Sequence, residues 1–303
     1  MNLKFPRPAS LEFRQLIGFM AVFGSAFCFY LATLIIRWAE PVVDIESTFF
    51  VFSRFLLGFA VVSATMFVKR QPLRPKKYSY LIGRALTNTV AVFCFYKAVG
   101  LGSVAEANIL NMTYPLFVAL ISWFVLKDQR DIISIFIVIA SFVGIWMVLS
   151  PGMVSVRWEN LWGLGSGISA AVAIVYLNIS RRYHDSMTIL FFMFGIGTLL
   201  IFALFRDALF WPDGWELVFL IGCSSAGILG QFLLTYGFFY VTAVEGSIIS
   251  SSRILLAAVL GPFLVADPPL ALVGWCGALL IFSANVALAA RRSALASAKH
   301  AQL

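Results

Sequence analysis

Stretches of roughly 18–25 predominantly apolar residues recur from one end of this chain to the other, separated by short segments rich in Gly, Pro or charge. Each is long enough to cross a ~30 Å hydrocarbon layer as a helix. In lipid a helix is also one of the few structures that pairs all its own backbone polar groups. The layout predicts an all-α membrane protein with ten transmembrane helices, at 16–36, 47–67, 79–98, 103–126, 132–150, 161–179, 187–205, 216–239, 243–266 and 270–290. No stretch is left for a second, water-soluble domain. Composition agrees: 61% of the 303 residues are hydrophobic and 12% charged, against about 45–50% and 25% in soluble chains. The basic start, Met1 to Gln15, leads into a run too long for a signal-peptide core and without a small-residue cleavage site. A retained first helix is therefore expected.

The net charge of +8 would suit nucleic acid if it were gathered on one face, but the Lys and Arg lie in short loops between apolar runs. With the N-terminus inside, one side holds Lys4, Arg7, Arg14, Lys69, Arg70, Arg74, Lys76, Lys77, Lys127, Arg130, Arg181, Arg182, Arg291, Arg292 and Lys299. The other side holds only Arg37, Lys97, Arg157 and Arg206. This asymmetry places both termini in the cytoplasm and fits a bacterial inner (plasma) membrane. Trp38, Trp158, Trp162, Trp211 and Trp215 then form an aromatic belt at the outer interface. Cys28, Cys94, Cys223 and Cys276 each fall within an apolar run and read as buried thiols. His184 and His300 lie in a loop and in the tail, so no metal site and no cofactor is expected. The expected partners are a small-molecule substrate, membrane lipid and a second copy of the chain as a homodimer, with no nucleic acid.

An internal repeat divides the chain. Residues 81–128 align without a gap onto 220–267 at a constant offset of 139. Leu81-Ile82-Gly83 falls on Leu220-Ile221-Gly222, Phe93 on Phe232, Glu106 on Glu245, Phe124 on Phe263 and Asp128 on Asp267. Acids are rare here, so two coincident acids weigh more than the apolar matches. The reading gives halves at 1–150 and 151–303 with five helices each, and an odd number turns the second half upside down relative to the first. Such a pair encloses a site near the midplane that rocking opens to either side in turn.

Several segments carry a family resemblance: Phe95-Tyr96-Lys97-Ala98, Ser103-Val104-Ala105-Glu106-Ala107, Tyr114-Pro115-Leu116-Phe117, Lys127-Asp128, and Arg54-Phe55-Leu56-Leu57. The chain resembles the EamA-type permeases of the drug/metabolite transporter superfamily over essentially its whole length. The resemblance implies their fold and a transport function. Arg84 is similar to a subgroup that includes carriers for organic anions, riboflavin and S-adenosylmethionine. The chain departs from the family pattern at Asp128, where a Glu is usual. It departs again at Arg253, which stands where the first half has Tyr114, and in the second-half proline, displaced to Pro262.

Charges within a span cost roughly 2.5–3.5 kcal/mol on insertion scales and usually face a cavity or partner. Arg253, about ten residues into its helix after Ser250-Ser251-Ser252, is placed near the midplane. It is expected to meet an anionic or carbonyl group of the substrate, or else to bond helix-end carbonyls or a carboxylate. Arg54 is placed to line the cavity or to extend to the outer interface. Arg84, a turn from the cytoplasmic surface, reads as a snorkelling side chain or a substrate contact. Asn108 and Asn111 match Ser247 and Ser250 in the repeat; spaced i, i+3, they share a helix face that lines the cavity or bonds a neighbouring helix. Tyr114, Tyr96, Gln231 and Tyr236 complete the substrate-binding candidates, with Asn88 of the same kind. Ser103-x-x-Glu106 and Thr242-x-x-Glu245 match the capping box, so Glu106 and Glu245 read as helix-capping residues with proton coupling as the alternative. Gly163-x-x-x-Gly167 and Ala226-x-x-x-Gly230 read as close-packing motifs.

The reading is therefore a non-ATP secondary carrier of a small organic metabolite, an amino acid or related organic anion first. An intramembrane enzyme and a non-transporting scaffold or channel are the alternatives. No nucleophile with a base, paired acids or metal ligands fall at membrane depth, so no enzyme activity is expected. With no carboxylate deep in a span, exchange or facilitated diffusion is favoured over proton coupling.

Overall fold

The computed structural model describes residues 11–125, 131–150, 157–237, 240–241 and 243–300. These form eleven helices and no strand: α1 (Leu11–Ala39), α2 (Ser47–Val68), α3 (Tyr78–Leu101), α4 (Val104–Asn111), α5 (Tyr114–Val125), α6 (Ile132–Leu149), α7 (Trp158–Ser180), α8 (Ser186–Phe205), α9 (Gly214–Gly237), α10 (Ala243–Leu264) and α11 (Leu272–His300). Helix occupies all ten predicted segments. By length and composition, eight apolar segments among the described residues suffice to cross a membrane, and Ile249–Leu264 is a shorter apolar helix. The predicted ten spans are not all reached on that measure. The chain is an integral membrane protein.

The fourth predicted span is divided. Pro115 has no N–H to give the Asn111 carbonyl, and its ring would crowd that carbonyl, so regular helix stops at Asn111 and resumes at Tyr114. The carbonyls freed by the break find partners. Thr113 Oγ1 donates to Leu110 O at 2.6 Å, and Asn285 Nδ2 on α11 donates to Met112 O at 2.9 Å. Gly167 on α7 lies directly behind the break, where a Cβ would stand 2.5 Å from Thr113 Oγ1 and 2.8 Å from Leu110 O. Gly163, one turn earlier, similarly admits Leu110. Both glycines thus serve the close packing expected of them.

Helix pairing follows a reciprocal pattern. α3 packs on α7 as α1 packs on α9, α4 packs on α7 as α10 packs on α1, and α2·α8 and α6·α11 pair directly. The contact between α2 and α8 is closely symmetric. A Cβ on Gly58 would meet the Phe194 ring at 2.5 Å, and one on Gly197 would meet the Phe55 ring at 2.5 Å. The offset of 139 carries Phe55 to Phe194 and Gly58 to Gly197. Phe55 stacks edge-on against Phe194, and Phe59 and Phe52 pair with Phe191 and Phe202, so the two helices run antiparallel. Antiparallel packing also joins α6 to α11, where Gly144 and Gly277 approach backbone to backbone and Asp131 pairs with Arg291.

The five tryptophans expected at the outer interface are all exposed. Cys94 and Cys223 are buried and Cys28 partly so, but Cys276 is exposed on α11, contrary to expectation. An apolar helix facing lipid accepts a thiol on its outer side as readily as on its inner one.

Candidate substrate site

Two arginines from different halves meet inside the bundle. Arg54 lies on the inward stripe of α2 with Val51, Phe55, Gly58, Val62 and Met66, all buried. Its side chain turns inward rather than to the outer interface and is only 9% exposed. Nη1 donates to Tyr96 Oη at 3.0 Å, and Cys223 Sγ approaches the same oxygen at 3.6 Å. Gly227 on α9 makes room for it, since a Cβ there would stand 3.0 Å from Arg54 Nε.

Arg253 on α10 is 5% exposed and donates from Nη2 to Asn111 Oδ1, while Asn111 Nδ2 reaches Ser166 Oγ on α7. Its guanidinium carbon lies 5.3 Å from the centroid of the Phe95 ring. The two guanidiniums converge on one ring: Arg54 Cζ is 5.6 Å and Arg253 Cζ 5.9 Å from the Phe29 centroid. These distances are within the range at which a cation is attracted to a ring's quadrupole. Gly230, where a Cβ would stand 3.1 Å from the Phe29 ring, seats Phe29 against α9. Neither arginine forms an ion pair among the described residues. The site therefore presents two cations in an aromatic shell, with no carboxylate ion-paired to either among the described residues.

The remaining candidates divide. Tyr96, Asn111 and Tyr114 belong to this cluster. Asn108 is fully buried but turns to α1 instead, donating to Thr33 Oγ1 at 3.2 Å and to its own helix at Val104 O. It is an interhelical bond, as the alternative reading had it. Ser250 is partly buried on α10. Tyr236 stands apart, 47% exposed at the end of α9 and bonded to Tyr240. That placement removes it from the buried cluster, because a strongly polar ring edge at a helix end is better solvated outside. Gln231 and Arg84 also stand apart, together in a separate pocket. Arg84 does not snorkel; it is 5% exposed. Phe29, among 30 phenylalanines, had no signal to select it.

One end of the bundle is tied across the halves. Ser103 Oγ caps α4, accepting from Ala105 N and Glu106 N at 3.1 and 3.4 Å, as the capping box requires. The Glu106 carboxylate does not fold back onto Ser103. It accepts instead from Arg157 at the start of α7, at 3.2 and 3.3 Å. Asp267, after α10, accepts from Ser103 Oγ at 3.0 Å and Ala105 N at 3.2 Å, and its other oxygen lies 3.8 Å from Arg37 Nε. Asp128 and the Glu245 side chain lie outside the described residues. At the opposite end His184 Nε2 accepts from the backbone N–H of Lys76 and Lys77, at 3.0 and 3.2 Å. The histidine therefore joins two loops.

The profile of the EamA-like transporter family matches residues 16–150 and again 157–289. The chain belongs to the EamA-like transporter family. An uncharacterized transporter of Helicobacter pylori is 28% identical over 72% of this chain and 78% of its own length. The pseudopaline exporter CntI of Pseudomonas aeruginosa is 24% identical over 89% and 95%. Human solute carrier family 35 member G1 is 22% identical over 91% and 80%. A solved crystal structure superposes with a TM-score of 0.57 over 91% of this chain and 98% of its own, at 20% identity, a likeness of fold alone. Family membership makes this EamA chain a membrane transporter rather than an enzyme.

Proposed function

We propose that this EamA-family protein is a secondary carrier that moves a small organic anion by alternating access. The convergence of Arg54 and Arg253 on Phe29, with no carboxylate ion-paired to either among the described residues, carries the reading. Two buried guanidiniums in an aromatic shell favour a ligand with carboxylate or phosphate oxygens, which accept fork-shaped, charge-assisted hydrogen bonds. Amino acids and related organic anions come first, nucleotide-like cofactors second and cationic drugs last. Arg253, Arg54, Tyr96, Asn111 and Tyr114 are the substrate contacts.

The reciprocal packing of Phe55 on Gly197 and Phe194 on Gly58 supports two inverted five-helix repeats, 1–150 and 151–303, making ten transmembrane helices. The excess of Lys and Arg on one side supports cytoplasmic termini in a bacterial inner membrane. Glu106 and Asp267, the acids tied across the halves, sit at the helix ends and not beside the arginine pair. That placement supports exchange or facilitated diffusion over proton coupling. The relative named as an exporter makes outward movement the first direction to test.

The test is counterflow of labelled amino and organic acids into proteoliposomes, with Arg253→Ala and Arg54→Ala in parallel. The expected result is anion uptake by the wild type, at least tenfold slower in each variant, consistent with loss of a ~1.5–3 kcal/mol charge-assisted contact. Uptake of cations only, or anion uptake unchanged in both variants, overturns the anion reading. Flux abolished by collapsing a pH gradient overturns the exchange reading.

A further inference from the structure

A second group of basic side chains lies away from the central pair, where α7 ends and α8 begins. Arg84 on α3, Arg181 just after α7, Ser186 at the start of α8 and Gln231 on α9 line one pocket, with Leu190 and Met193 forming its apolar wall. The space free between them is small, about 20 Å³, enough for a water-sized group such as a single ligand oxygen.

Three observations point to what it takes. Arg84 is 5% exposed, and its Nε has no hydrogen-bond partner among the described residues. Arg181, another cation, lines the same pocket. The pocket also meets the start of α8 at Ser186, and the N-cap residue Asp185 makes no side-chain cap there. Asp185, the N-cap residue, directs its carboxylate to Gln71 Nε2 and Thr188 Oγ1. A buried guanidinium with an open donor, a second guanidinium and a helix N-terminus together form a cradle for negative charge.

We infer that Arg84, Arg181 and the α8 N-terminus form a second oxyanion site, separate from Arg54 and Arg253, for a carboxylate- or phosphate-bearing group. Its place relative to the central pair follows from α9. Gly227 abuts Arg54 and Gln231 lines the pocket, one helical turn further along the same helix. In the orientation proposed above, the site is a way station at the cytoplasmic mouth of the substrate path. Two sources share the chemistry: the anionic group of a substrate in transit, and the phosphate of an anionic lipid reaching between helices.

The experiment titrates inorganic phosphate against chloride at constant ionic strength and follows thermal unfolding of the full chain. Wild type, the Arg54→Ala/Arg253→Ala double variant, and that double variant with Arg84→Gln or Arg84→Lys added are compared. The expected result is a phosphate-specific rise in midpoint of about 2–4 °C in the wild type and in the double variant. In the double-variant background, where the central pair cannot contribute, the rise should shrink on adding Arg84→Lys, which keeps the charge but loses the fork, and vanish on adding Arg84→Gln. A rise that survives Arg84→Gln in that background, or that is already lost in the double variant, overturns the second site while leaving the central one standing. Absence of any rise in both the wild type and the double variant also overturns it. Repeating the titration in phosphatidylcholine nanodiscs with and without phosphatidylglycerol assigns the source. Loss of the phosphate response when phosphatidylglycerol is present identifies a lipid head group, and its persistence identifies a free anion; either result supports the oxyanion site.

Discussion

Arg54 and Arg253, contributed by opposite halves of the chain, share the ring of Phe29, with their guanidinium carbons 5.6 and 5.9 Å from its centroid. One ring thus helps to hold two like charges close together where water is scarce. A double-mutant cycle exposes the coupling. Phe29→Leu is expected to destabilise the wild type more than it does an Arg253→Met background, with a coupling of about 0.5–1 kcal/mol in detergent unfolding. Equal costs in both backgrounds would show that Phe29 only fills space.

The contact between α2 and α8 makes a reciprocal prediction. Gly58→Ala and Gly197→Ala each drive a methyl group into a phenyl ring, and each is expected to cost about 1–3 kcal/mol. Phe194→Leu should relieve the first and Phe55→Leu the second, with the opposite pairings giving no relief. Thermal unfolding of the four double variants reads this directly.

Asp131 and Arg291 supply a pH signature. The Arg291 guanidinium holds the Asp131 carboxyl far below the usual carboxylate range, against burial, with help from Ser134. A depressed acid stabilises the fold above its unfolded pKa and loses that contribution as pH falls through its folded one. Asp131→Asn is therefore expected to cost about 1 kcal/mol at neutral pH. The gap should hold down to about pH 5 and narrow below about pH 4. A gap that widens on acidification would contradict the assignment.

His184 is the acceptor for two backbone N–H groups of the loop before α3. His184→Ala leaves both without that partner and is expected to cost about 1–2 kcal/mol. Hydrogen exchange at Lys76 and Lys77 should rise well before the rest of the chain unfolds. Unchanged exchange at those two amides would show that the histidine does not hold the loop.

Hydropathy places helix in all ten predicted segments but not the division of the fourth into α4 and α5, because a lipid-facing segment is apolar on both sides of such a break. It did not reveal which face of each helix turns inward, since both faces of such a helix are apolar. Arg253 was legible because no interface lies within reach of its depth. Arg54 was ambiguous because its direction is set by Phe29, Tyr96 and Gly227, which come from three other helices. Glu106 was half legible: the capping residue Ser103 lies in the local sequence, whereas the partner of the carboxylate, Arg157, lies 51 residues away. Arg84 is legible only from its distance to the surface and a family resemblance, and the residues that line its pocket come from α7, α8 and α9.

The break between Asn111 and Tyr114 has no counterpart in the other half, where α10 runs unbroken through Arg253 and carries its proline only at Pro262. A rocking machine assembled from identical halves would rest equally in its two orientations, since each would be the other turned over. On the proposed inverted arrangement the two halves differ at this point, Tyr114-Pro115 in one standing for Arg253-Ile254 in the other. About 1.4 kcal/mol of difference between the two orientations tilts the resting populations tenfold. On that arrangement the unequal break is one structural source of a preferred resting orientation.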